Sequence, residues 1–246
     1  MPGVPSQMSV VAAIIEGMGS PTPTAARRRL RPYRDLPVRP WFLAPPLRIV
    51  SRPGAEMLTM YTLQTHDAYE TLARDGVLVG DPSLGWPEFQ EAYTWMLRQM
   101  DQRLPGPQGG LLWLWPTATH ERLRDDARHD PGNVLLTVRV AQARVLLSDF
   151  LDWHVVLNRS LHVPLLPGES NEEWEARWTL IDEDFEERAT PYRGEPTTAW
   201  PEALRAEIES SWEAIFDPAT WRTPPVLQAT MRELRAEDIV RAVRIR

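Results

Sequence analysis

The chain has 246 residues, and all 27 of its basic side chains are arginine; lysine and cysteine are both absent. Their absence excludes a Schiff-base lysine, a Walker-type phosphate loop, a thiolate nucleophile, a zinc ribbon and a disulfide framework. At 43% hydrophobic and 25% charged, with a formal charge of −7, the composition is globular and acidic. No apolar run approaches the roughly 18 residues needed to cross a bilayer, so no membrane partner is expected.

Charge is unevenly spread. Residues 1–56 hold eight arginines against Glu16, Asp35 and Glu56, a balance of +5, together with 10 of the 24 prolines. A stretch of this kind buries too little apolar surface to offset its ordering entropy. Residues 1–56 are therefore expected to be a disordered, basic Pro/Arg-rich extension. It is either an arm that contacts nucleic acid or upstream sequence ahead of a start at Met57 or Met60. The remaining 190 residues carry 19 arginines against 31 acids, a balance of −12. Nucleic acid is an unlikely partner for so acidic a body, since phosphate backbones need positive potential. A cysteine-free chain is suited to a reducing compartment, and a cytoplasmic location is expected.

Residues 57–246 read as a single α+β (mixed α/β) domain, with a central, largely antiparallel sheet of about six strands flanked by helices. Met57–Leu63 predicts the first strand, and Thr65 caps a helix over His66–Asp75 that buries Ala68, Tyr69, Leu72 and Ala73. Gly76 ends it, Val77–Val79 is extended, and Gly80-Asp81-Pro82 turns the chain. Pro87 opens a second helix to about Arg103, with Phe89, Tyr93, Met96, Met100 and Leu104 on its buried face. Leu111–Trp115, Val134–Val140 and Val145–Leu147 predict strands, and Thr119–His129 a short exposed helix. Ser148 or Asp149 caps a helix to Asn158, and Ser170 with Glu173 makes a capping box. The next two helices carry Trp174, Trp178, Ile181 and Phe185, then Leu204, Ile208, Trp212 and Ile215, as core stripes. Val226–Leu234 and Ile239–Ile245 are the last strands.

Few motifs carry chemistry. His120-Glu121 begins like a zinc-protease helix, but Arg124 stands where the second histidine belongs, so no metal site is expected. The acids Asp182, Glu183, Asp184, Glu186 and Glu187 read as a solvated helix face. Ser148, Asp152 and His154 share one short helix, which cannot set a base between two partners. Trp113 and Trp115, two apart on a strand, face one side, and either fill a core or wall a flat aromatic ligand.

The body resembles the bacterial family called domain of unknown function 3841. The resemblance rests on Tyr61-Thr62-Leu63-Gln64, Gly76-Val77-Leu78, Gly80-Asp81, Tyr93-Thr94-Trp95-Met96 and Trp113-Leu114-Trp115. It continues through Val145 to Phe150, Trp153-His154, Val156-Leu157-Asn158, Leu227-Gln228-Ala229-Thr230 and Asp238-Ile239-Val240. More distantly, the order of parts is similar to the ADP-ribosyltransferase fold of DNA-targeting toxins. A polar first strand, a glycine turn, an aromatic strand and a Gln-Ala-acid strand near the end carry that likeness, although Thr230 replaces the acid here. The resemblance implies NAD as ligand, with a small-molecule nucleotide as partner. The implied site holds Tyr61, Gln64, Trp113, Trp115, Arg124, Gln228 and Thr230. Trp113 or Trp115 would stack the nicotinamide, Tyr61 and Gln64 would hold its amide, and Gln228 would bond a ribose hydroxyl. Asp149, His154 and Gln228 are the catalytic candidates. The implied alternative is a non-catalytic nucleotide- or protein-binding module of the same fold.

Overall fold

The structure is a computed structural model that describes residues 33–35, 56–118, 123–124, 132–221 and 225–245. It is mixed helix and strand with antiparallel sheets, in line with the α+β expectation. The described residues form two compact units. The first takes its residues from 1–90, 97–146 and 229–246, the second from 91–96 and 147–228. Of the basic extension, only 33–35 and Glu56 are described. Of Thr119–His129, only Leu123 and Arg124 are described, and both are helical.

The first unit is built on an antiparallel sheet. Strands β1 (Tyr33–Asp35), β2 (Met57–Gln64), β5 (Val134–Ala141) and β9 (Ile239–Ile245) lie in the order β1-β9-β5-β2. β2 and β5 pair without a slip, so Met60 faces Val138, Thr62 faces Leu136 and Gln64 faces Val134. Directly opposed residues share a sheet face, and all six of these are buried. β5 then shifts register against β9 between Thr137 and Val138, where a bulge re-aims the pairing. Two smaller antiparallel pairs complete the unit: β3 (Val77–Val79) with β8 (Glu233–Arg235), and β4 (Leu112–Leu114) with Ala229–Met231 of β7 (Leu227–Met231).

Local signals set the helix ends. Helix α1 (His66–Asp75) starts where the Thr65 hydroxyl accepts from the Ala68 N–H, and stops where Gly76 takes φ 78° and donates to the Leu72 carbonyl. Gly80 is needed for a different reason. A Cβ there would overlap the Leu111 carbonyl, because the Leu111 N–H donates to the Gly80 carbonyl at 3.1 Å. Pro87 opens a single 3₁₀ turn, Pro87–Phe89, and helix α2 proper runs Gln90–Arg103.

The expected strand Val226–Leu234 is broken in two by Arg232. This side chain is buried, reaches Asp101 at 2.7 Å, and donates to the Met100 and Leu104 carbonyls at 3.1 and 3.4 Å. The chain turns there to leave β4 and join β3. Likewise the expected strand Val145–Leu147 is β6 (Leu146–Asp149), shifted toward the helix that follows.

The second unit is mainly helical, with α3 (Phe150–Leu157), α4 (Asn171–Ala189) and α5 (Glu202–Trp212). Trp95 meets Trp212 edge-on at 5.4 Å and stacks on Phe216 at 5.7 Å. The Trp212 indole donates to the Ser160 carbonyl at 2.8 Å. A Glu91 carboxylate oxygen accepts both the backbone N–H (2.6 Å) and the hydroxyl of Thr197. The capping box forms at the start of α4 as expected. The α4 stripe does not all become core: Phe185 is buried, but Trp178 and Ile181 stay 39% and 37% exposed. Helical spacing identifies a common face, and nothing in it says that a neighbour covers the face.

Candidate functional site

β2, β4 and β7 bring part of the expected nucleotide set together within the first unit. Trp113 is paired with Thr230 across β4 and β7. Trp115, one residue past β4, bridges Tyr61 of β2 through two backbone hydrogen bonds, Trp115 N–H to the Tyr61 carbonyl at 2.7 Å and its return at 3.3 Å. Opposed residues of antiparallel strands share a face, and so do residues two apart on one strand. Tyr61, Trp115, Trp113 and Thr230 therefore lie on one side of these strands. Thr230, Trp115 and Trp113 are 0%, 7% and 8% exposed, and Tyr61 is half-buried.

Gln64 does not join them. It is three residues from Tyr61 and so leaves β2 on the opposite face, where its amide donates to the Thr62 hydroxyl at 2.8 Å. Arg124 is half-buried in the helical pair 123–124. The set gathers two buried indoles, a buried hydroxyl and the half-buried phenol of Tyr61, and has no cation among its members.

Gln228, Asp149 and His154 belong to the second unit. Gln228 is fully buried and donates to the Ser148 hydroxyl at 3.2 Å, while its carbonyl oxygen has no hydrogen-bond partner among the described residues. Next to this contact, the Phe150 N–H donates to the Val226 carbonyl at 2.7 Å. Asp149 is the N-cap of α3: its Oδ1 accepts from the Leu151 and Asp152 N–H groups at 2.8 and 3.1 Å. His154 sits one turn on, its Nδ1 2.9 Å from the Phe150 carbonyl and its ring edge-on to Phe150 at 4.8 Å. Burial holds the His154 imidazole below its ordinary range, so it favours the neutral form. Both side chains thus have structural work at the start of α3.

Sequence reading missed a second polar pair in this unit. His162 Nε2 lies 3.3 Å from Asp152 Oδ2, with the two side chains 3% and 10% exposed. The pair joins α3 to the extended segment after it, by way of a turn in which Arg159 takes φ 54°. Ten residues separate the partners across an irregular stretch, so no periodicity marks the contact. Among the described residues no group of three or more histidines and acids is placed to hold a metal ion. No described helix is long and apolar enough to cross a membrane.

No curated protein and no solved structure matches the chain. A family profile does, over residues 59–240, and it spans β2 through the start of β9 with both polar groups just described. The chain belongs to the family described as Domain of unknown function (DUF3841).

Proposed function

We propose that the chain binds a nicotinamide dinucleotide, or a nucleotide built like one, on the face shared by β2, β4 and β7, and that it binds without catalysing transfer. The observation that carries this is the alignment of Tyr61, Trp115, Trp113 and Thr230 on one side of three adjacent strands. These strands are also the ones through which the chain resembles ADP-ribosyltransferases. Indole faces stack a flat ring with little regard for its substituents. The half-buried Tyr61 supplies a hydroxyl that can serve the carboxamide. A pyrophosphate needs a cation as well, and in a lysine-free chain that cation is an arginine, with Arg124 the candidate.

The non-catalytic part of the reading follows from Thr230. ADP-ribosyl transfer uses a carboxylate at this point of the Gln-Ala-acid strand, and a threonine hydroxyl cannot act as that base. Asp149 and His154 are engaged at the start of α3 and are assigned no part in chemistry. NAD would be a ligand here and not a consumed substrate.

Calorimetric titration of the full chain with oxidised dinucleotide, beside a Tyr61→Ala variant, tests binding. The expected result is a saturable heat for the parent and an affinity about fivefold or more lower in the variant. Release of nicotinamide over hours of incubation would overturn the non-catalytic half. Absence of heat would overturn the whole.

A further inference from the structure

A cleft of about 290 Å³ opens within the second unit beside the Asp152–His162 pair. We propose that it binds a small planar aromatic ligand that carries an N–H donor and no negative charge, that is, an aromatic amidine, amine or amide. The site lies wholly in the second unit and is independent of the dinucleotide reading.

The size comes first. The volume is that of about ten waters, at the low end for small-molecule sites, and suits one or two fused rings. Trp174 and Trp178 form one wall, stacked at 6.1 Å with 21° between their planes. The Trp174 indole is fixed by its donation to the Val163 carbonyl at 2.8 Å, and it braces Trp178, which is 39% exposed. A ligand ring laid on Trp178 would remove this surface from water and meet an indole already held in place.

The charge and the donor requirement come from the buried pair. Asp152 Oδ2 sits beside His162 Nε2 and can accept a hydrogen bond from a proton there, and in the neutral ring protonated at Nε2 the acceptor is Nδ1. His162 Nδ1 is buried and has no hydrogen-bond partner among the described residues. An unmet buried acceptor costs free energy, and since His162 lines the cleft, a ligand N–H that reached Nδ1 would recover it. An anion finds the opposite environment. Asp152 is a wall residue, the polar walls besides it and His162 are Asn171 and Thr220, and no arginine lines the cleft among the described residues.

The test uses the full chain labelled with ¹⁵N-histidine, read by long-range proton–nitrogen NMR, with benzamidine, benzamide and benzoate as probes. The chain has five histidines, and a His162→Gln variant identifies the resonance. Benzamidine and benzamide are expected to move the His162 ring nitrogens saturably, and benzoate to leave them in place. Trp178→Ala, at a position 39% exposed, is expected to weaken benzamidine binding about fivefold or more. The proposal is overturned if benzamidine leaves His162 unmoved, if benzoate moves it equally, or if Trp178→Ala leaves the affinity unchanged.

Discussion

Trp113 stands directly opposite Thr230 where β4 pairs with β7, and both side chains are at most 8% exposed. The residue that would have to be the acid of a transferase is thus a buried neutral hydroxyl beside an indole. Thr230→Glu would put a carboxylate at a position with 0% exposure. The expected outcome is destabilisation of about 3–5 kcal/mol in urea unfolding, the cost of an uncompensated buried charge. A variant as stable as the parent would contradict the burial of this position.

Arg232 is the hinge between β7 and β8, and its side chain is only 7% exposed against 30% for Asp101. Replacing it by methionine removes the ion pair with Asp101 and both carbonyl contacts at the end of α2. The expected loss is about 3 kcal/mol, at the low end for breaking a buried pair because Asp101 keeps some water. Asp101→Asn should cost less, since the carbonyl contacts survive. Equal losses in chemical denaturation would contradict this.

Glu169 binds Arg177 through both carboxylate oxygens at 2.7 Å, and the guanidinium lowers its carboxyl from an ordinary 4.5 to about 2. With the folded value depressed, the pair's contribution is present above about pH 4.5 and is lost as pH falls toward 2. The segment before α4 should loosen over that window, with a change in the signal of Trp174, which is tied to Val163 beside it. In Arg177→Met that low-pH step should move up toward pH 4.5. A step at the same pH in both proteins would rule this account out.

His154 tests the electrostatics of α3. Desolvation lowers its value below 6.5, so the folded state keeps the ring neutral where the unfolded chain is protonated. The sign is therefore that protonation favours unfolding, and stability declines as pH falls through 6.5 and below. Imidazole proton shifts followed against pH should give a midpoint under 6.5. A midpoint above it would contradict the burial argument.

The parts of the fold that could be read from sequence are those with local causes. Thr65, Gly76 and the Ser170–Glu173 box act within a few residues of themselves, and each helix end lies where its cap predicts. The face shared by Trp113 and Trp115 was equally readable, because strand alternation is a property of neighbours. What escaped depends on distant partners. The break at Arg232 is set by Asp101, over a hundred positions earlier. Tyr61 and Gln64 look like one polar group in sequence but lie on opposite faces of β2. The Asp152–His162 pair needs a left-handed turn at Arg159, a conformation uncommon for a non-glycine residue and unmarked by any motif.

The central claim is that a dinucleotide meets the indoles of Trp113 and Trp115. The most direct measurement is ¹⁹F NMR of the chain labelled with 5-fluorotryptophan, whose eleven tryptophans give separable lines assigned by Trp113→Phe and Trp115→Phe. Addition of oxidised dinucleotide should move the lines of Trp113 and Trp115 saturably and leave that of the buried Trp212 in place. Movement of neither line at saturating ligand, or of the Trp178 line alone, would contradict the account.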